Sequence, residues 1–176
     1  MHTELTRNYV IRTLGDYLSE QRVKKLTVQE LLVITGVSRS TFYRHFNNGL
    51  QDIFFAVVEE RLLLKLRQCS SWMLALDLLV EELVAQRILF LNLYQNSNVM
   101  RQEYFLQETF ECFISQYFKP QYFARINASY MTFFTDGLRL KIREWLTNNL
   151  NIEPKQMRAQ LDALSLLLID NKFKLG

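Results

Sequence analysis

Leu26-Thr27-Val28-Gln29-Glu30-Leu31-Leu32-Val33-Ile34-Thr35-Gly36-Val37-Ser38-Arg39-Ser40-Thr41-Phe42-Tyr43-Arg44-His45-Phe46 is the stretch on which the reading of this chain turns. Thr27 stands three residues before Glu30, the capping-box spacing that satisfies free N–H groups where a helix starts. Val28, Leu31, Leu32 and Thr35 then follow at i, i+3, i+4 and i+7, so one face of a two-turn helix is buried. Gly36 can take the left-handed conformation that ends a helix, Val37 can enter a core, and Ser38 can cap the next helix. In that next helix Phe42 and Phe46 point the same way, four apart. Ser40, Tyr43, Arg44 and Asn47 occupy the opposite side and carry hydroxyl, phenol, guanidinium and amide groups. Such a set can hydrogen-bond both phosphates and base edges.

Working outward, Val10, Ile11, Leu14, Tyr17 and Leu18 form an apolar stripe at helical spacing, with Arg12, Asp16 and Glu20 on other faces. A polar and basic connector, Gln21 to Leu26, separates this first helix from the second. Beyond Leu50, the residues Ile53, Phe54, Val57, Val58, Arg61, Leu62 and Leu66 predict a long helix leaving a small first domain, residues 1–49, for a larger second one, residues 50–176. Further helices are predicted from Met73 to about Leu93, Gln102 to about Tyr117, Phe123 to Leu150, and Pro154 to about Ile169. Breaks are expected at 95–98, at Lys119-Pro120 and at 148–151. Pro154 suits a first helical turn, where its missing N–H is no loss.

Composition agrees with an all-α chain. Of 176 residues, 49% are hydrophobic, and only two prolines and five glycines interrupt them. The net charge of +3 is unevenly spread: residues 1–49 hold seven Lys and Arg against four acids, so the whole basic excess lies in the first quarter. A basic end of this kind can complement phosphate, or be an ordinary solvated surface. Charges interrupt every apolar run well short of the roughly 20 residues that a membrane span needs. Cys69 and Cys112 lie far apart without CxxC spacing, and the N-terminus lacks the pattern of a secretory signal, so a cytoplasmic protein is expected. His2 and His45 have no partner at ligand spacing, which argues against a metal site. No Glu-x-x-His pair, nucleophile with a His base, or glycine-rich phosphate loop is present, so neither an enzyme nor a cofactor is expected.

The stretch from Leu26 to Phe46 resembles the DNA-binding signature of the tetracycline-repressor (TetR) family, and the resemblance extends over roughly residues 5–60. It implies a helix-turn-helix followed by a helical-bundle domain for ligand binding and dimerisation. It further implies that the Gly-Val-Ser turn leads into a recognition helix, that Tyr43 and His45 touch phosphates, and that Thr27 touches backbone phosphate at a helix start. The DNA-binding set expected on this basis is Thr27, Ser38, Arg39, Ser40, Thr41, Tyr43, Arg44, His45 and Asn47. One departure stands out: a lysine usual in the family at the start of the fourth helix is missing, since the chain there reads Asn47-Asn48-Gly49-Leu50-Gln51-Asp52. Asn47, Asn48 or backbone N–H groups are expected to replace part of that contact.

Residues Phe133 to Leu146 resemble the penultimate helix of many family members, which pairs with the last helix and with a second chain's copies in a four-helix interface. The resemblance thus implies a homodimer, with Gly137, Leu138, Trp145, Leu161, Leu164 and Leu168 as its apolar area. Packing within one chain is the other reading of the same residues. A two-fold dimer also suits the chemistry, because one short helix reads few base pairs and a palindromic operator doubles the contacts. Aromatic residues crowd the second domain, and Phe90, Tyr94, Tyr104, Phe105, Phe110, Phe113, Tyr117, Tyr130 and Phe134 are expected either to form core or to line a pocket for a small apolar or amphipathic ligand. The function implied is a repressor released from its operator by such an inducer. A DNA-binding protein of the same kind that acts through a protein partner, or as an activator, is the alternative.

Overall fold

The apolar stripe Val10, Ile11, Leu14 and Leu18 is buried along one side of α1 (His2–Glu20), while Arg12, Asp16 and Glu20 face solvent. A computed structural model describes residues 2–96 and 128–173. Among them all regular structure is helical.

Leu26 is buried, and the chain enters α2 (Val28–Thr35) through the capping box. The Thr27 hydroxyl accepts from the Glu30 N–H at 3.2 Å, and the Thr27 N–H donates to the Glu30 carboxylate at 2.7 Å. Leu31 and Thr35 are buried, Val28 and Leu32 half-buried, and the Thr35 hydroxyl donates back to the Leu31 carbonyl at 2.8 Å. Gly36, at φ 69° and ψ 11°, closes the helix by donating to the Leu32 carbonyl. A side chain at that φ is strained, which is why glycine stands there. Three residues later α3 (Arg39–His45) begins, capped by Ser38, whose Oγ accepts from the Thr41 N–H at 3.2 Å.

The long stripe after Leu50 is α4 (Leu50–Val58), a π turn (Glu59–Leu63) and α5 (Leu64–Leu66) in succession. Ile53, Phe54, Val57, Val58, Leu62 and Leu66 are all buried, as the periodicity predicts. In the π turn the Leu64 N–H reaches the Glu59 carbonyl, five residues back. Glu60 in that turn accepts from Arg12 at 2.8 Å, and its neighbour Arg61 pairs with Asp16, so the turn is tied to α1 at two points.

The helix predicted from Met73 to Leu93 is two helices, α6 (Trp72–Ala85) and α7 (Arg87–Asn96). They part at Gln86, whose side-chain amide donates to the Arg61 carbonyl at 3.3 Å. Helix α7 also runs past Leu93 to Asn96, because Asn92 and Asn96 find partners in the connector after α1.

The described residues fall into two compact units: residues 2–64 with 86–96, and residues 65–85 with 128–173. In the second unit α6 packs on α9 (Pro154–Phe173), which packs on α8 (Ala128–Thr147). Trp145 is fully buried, and its indole donates to the Ile152 carbonyl at 3.0 Å. Trp72 donates to the buried Ser165 hydroxyl at 2.9 Å, with its ring 5.8 Å from that of Phe134. Arg158 on α9 donates to Asp77 at 2.6 Å and to the Met73 carbonyl at 3.1 Å, and pairs with Asp162. Burial works against its charge, but the hydrogen bonds it donates to Asp162 and Asp77 outweigh it and hold the guanidinium pKa above the ordinary value. Pro154 is the first residue of α9, as expected from its missing N–H.

Candidate nucleic-acid interface

Helix α3 has two chemically different faces. Phe42 and Phe46 are fully buried, with ring centroids 5.3 Å apart, and Tyr43 packs edge-on against Phe42 at 5.2 Å. The rings anchor a helix too short to be stable alone, since most helical stability in proteins comes from the packed face. Ser38, Arg39, Ser40, Tyr43, Arg44 and Asn47 are exposed, and helical spacing puts Ser40, Tyr43, Arg44 and Asn47 on the side away from the two phenylalanines. Tyr43 shows 39% of its surface even though its ring edge touches Phe42. One solvent-facing side of a seven-residue helix and its flank therefore carries a hydroxyl, a phenol, a guanidinium and an amide, with Arg39 exposed at the start of the helix.

Four members of the sequence-derived set, Thr27, Ser38, Ser40 and Thr41, already have partners. Both donors of Thr27 go to Glu30, the N–H at 2.7 Å and the hydroxyl at 2.8 Å. That hydrogen bonding, with the charge of Lys25, holds the Glu30 carboxyl below its ordinary value. The hydroxyls of Ser38, Ser40 and Thr41 form a cluster, with Ser38 Oγ 3.0 Å from Ser40 Oγ and donating to Thr41 Oγ1 at 2.9 Å. An anion approaching the start of α3 meets a preassembled group of hydroxyls.

His45 is half-buried at the end of α3, and its Nε2 is enclosed without a hydrogen-bond partner. Burial first, then the positive charges of Arg44 and Arg7, hold its pKa below the ordinary 6.5. Arg7 stands 5.8 Å above the Phe46 ring, so α1 brings a further cation to this end of α3. The segment that lacks a lysine is organised by an acid instead. The Asn48 N–H and side-chain amide donate to Asp52 at 2.8 and 3.0 Å, leaving exposed Asn47 as the amide open to a partner.

Of the residues proposed for a ligand pocket, three have described side chains. Phe90, buried, and Tyr94, half-buried, lie on α7 in the first unit, whereas Phe134 packs on Trp72 in the second. Tyr104, Phe105, Phe110, Phe113 and Tyr117 lie outside the described residues, as does the side chain of Tyr130. A described cavity, an open groove of about 320 Å³ in the second unit, is lined by Asp77, Val80, Glu81, Pro154, Lys155, Arg158, Ala159 and Asp162, none of them aromatic.

Of the residues offered as dimer area, Leu138, Trp145 and Leu161 are buried within the chain. A Cβ on Gly137 would stand 3.3 Å from a Leu164 methyl, so this glycine permits a close approach between α8 and α9 of the same chain. The Leu168 side chain lies outside the described residues. Among the described side chains of α8, the large apolar groups left uncovered are Phe133, 65% exposed, and Leu140, 42% exposed, two turns apart on one stripe.

Sequence reasoning did not single out Asn92, Gln95 and Asn96. Asn92 is fully buried and fully hydrogen-bonded, donating to the Leu18 and Gln21 carbonyls at 2.7 Å each and accepting from the Val23 N–H at 2.9 Å. Asn96 accepts from the Leu26 N–H at 2.5 Å and donates to the Val23 carbonyl at 3.0 Å. Gln95 accepts from Arg22 at 2.6 Å. Their only signal was a pair of amides four apart on an otherwise apolar helix. No protein-family model matches the chain, and no curated protein matches it, so the geometry of α2, α3 and their supports is what carries a functional reading.

Proposed function

We propose that this chain is a DNA-binding transcriptional regulator of the TetR kind, in which α2, the Gly36-Val37-Ser38 turn and α3 act as a helix-turn-helix and α3 enters the major groove. The observation that carries the reading is the division of α3: two phenylalanines anchor it, and Arg39, Ser40, Tyr43 and Arg44 face solvent. A helix held by one face and presenting guanidinium and hydroxyl groups on the other has the form that base-edge and phosphate recognition requires. The basic excess of residues 1–49 supports the same reading.

In this proposal the protein works as a homodimer on a palindromic operator. Phe133 and Leu140 on α8 are the apolar groups we assign to the contact with the second copy, since a lone recognition helix gives too few contacts for specificity. Release by a small apolar or amphipathic inducer completes the proposal, and its support is the aromatic content of residues 104–134 in the sequence. Repression follows from an operator that overlaps a promoter.

Binding of the purified protein to a fluorescent duplex across a salt series tests the core of the reading. Phosphate contacts make log K fall linearly with log salt concentration, by about 0.9 for each phosphate neutralised. Absence of duplex binding at low salt would overturn the proposal.

A further inference from the structure

The connector between α1 and α2, Gln21-Arg22-Val23-Lys24-Lys25-Leu26, contains three cations and no acid. Nothing in a six-residue stretch of this composition fixes its own backbone, yet α7 holds it firmly. Asn92 takes the Leu18 and Gln21 carbonyls and the Val23 N–H, and Asn96 takes the Val23 carbonyl and the Leu26 N–H. An amide with no exposed surface is tolerated in a core only because each of its hydrogen-bonding atoms has a partner. The loop is thus built as rigidly as a helix cap.

The cations it carries point outward. Lys24 and Lys25 are exposed, and neither makes an ion pair with a described residue. Arg22 is hydrogen-bonded to Gln95, a neutral partner that leaves its charge undiminished. Glu20, at the end of α1, and Glu30 are the acids closest in sequence; the Glu30 carboxylate is held by Thr27 and feels the charge of Lys25 without forming an ion pair with it. Cations carried on a backbone that the Asn92 and Asn96 amides hold in place suit an anion that is itself fixed in space. The loop leads straight into Thr27 and α2, one element before the solvent-facing side of α3.

We propose that this connector is a second phosphate grip, in which Arg22, Lys24 and Lys25 bind the DNA backbone beside the segment read by α3, and that Asn92 and Asn96 are positioning residues for it. The inference rests on the DNA-binding function proposed above.

The test uses the full chain and a mixed-sequence duplex of about 30 base pairs, with affinity measured by anisotropy over a salt series. The double variant Lys24→Gln/Lys25→Gln changes only exposed side chains, so its fold is retained. Its slope of log K against log salt should be shallower than wild type by about 1.8, or about 0.9 for each lost phosphate contact. A slope equal to that of wild type overturns the inference while the DNA-binding function stands; a wild-type protein that binds no duplex overturns both. Asn96→Ala tests the positioning role. Amide exchange at Leu26 should accelerate, and in this background the two lysine substitutions should no longer change the slope. Fully additive effects of the lysine and asparagine substitutions would contradict positioning.

Discussion

His45 and Arg44 are adjacent on α3 and make different predictions. With burial, Arg44 and Arg7 holding its pKa below 6.5, the His45 imidazole is neutral in the free protein at neutral pH. Relative to an unfolded chain that titrates near 6.5, the fold disfavours the proton, so the contribution of His45 to stability is present above that pH and is lost as pH falls through it toward the folded value. A phosphate beside the ring acts in the opposite direction. Proton NMR titration of the His45 ring should give a higher pKa with duplex than without, and affinity should rise between pH 7 and 6; His45→Gln should flatten that rise. An unchanged pKa on DNA binding would remove His45 from the interface. Arg44→Ala should cost on the order of 1–3 kcal/mol on the preferred sequence and relax preference at one position, whereas equal losses on all sequences would make Arg44 a phosphate contact. At this scale the sequence was informative about α3, because two phenylalanines four apart leave only one arrangement of faces. It was uninformative about Thr27, whose donors are both taken by Glu30: spacing identifies a capping box but not what remains open to a ligand.

Among the elements, the turn between α2 and α3 and the α7 amides hold the motif in place. Gly36→Ala puts a Cβ at φ 69° in open space, so the cost is conformational strain alone, about 1–2 kcal/mol by denaturant unfolding. Asn92→Leu removes partners from the Leu18 and Gln21 carbonyls and from the Val23 N–H, at about 1–3 kcal/mol for each group left unsatisfied. A variant as stable as wild type would mean that the connector is not anchored there. The boundaries of α2 and α3 were legible because their caps are local, Thr27 with Glu30 and Ser38 with Thr41. Other element boundaries were not. The split between α6 and α7 depends on Gln86 meeting a carbonyl 25 residues away, and the anchoring of α7 depends on partners about 70 residues away; a periodic apolar pattern runs through both without a mark. The π turn is hidden for the same reason, since the buried stripe continues across it.

For the whole molecule, the proposed function needs a second copy of the chain beside the basic first quarter. Light scattering should give a mass about twice 21.0 kDa, and Phe133→Asp with Leu140→Asp should return a folded monomer with much weaker operator binding. A monomeric wild-type protein would contradict the proposed assembly. Sequence alone could not separate buried from exposed positions on α8, which is apolar on two sides: Leu138, Ile142 and Trp145 are buried, and Phe133 and Leu140 are not. No helix among the described residues is long and apolar enough to cross a membrane, in keeping with the charges that break each apolar run.

Selection from a random duplex pool at near-physiological salt, followed by sequencing of the DNA retained by the purified protein, tests most directly whether α3 reads base sequence. The account predicts enrichment of a palindrome with half-sites about one helical turn, or slightly more, apart. Retained DNA without any enriched sequence would contradict it.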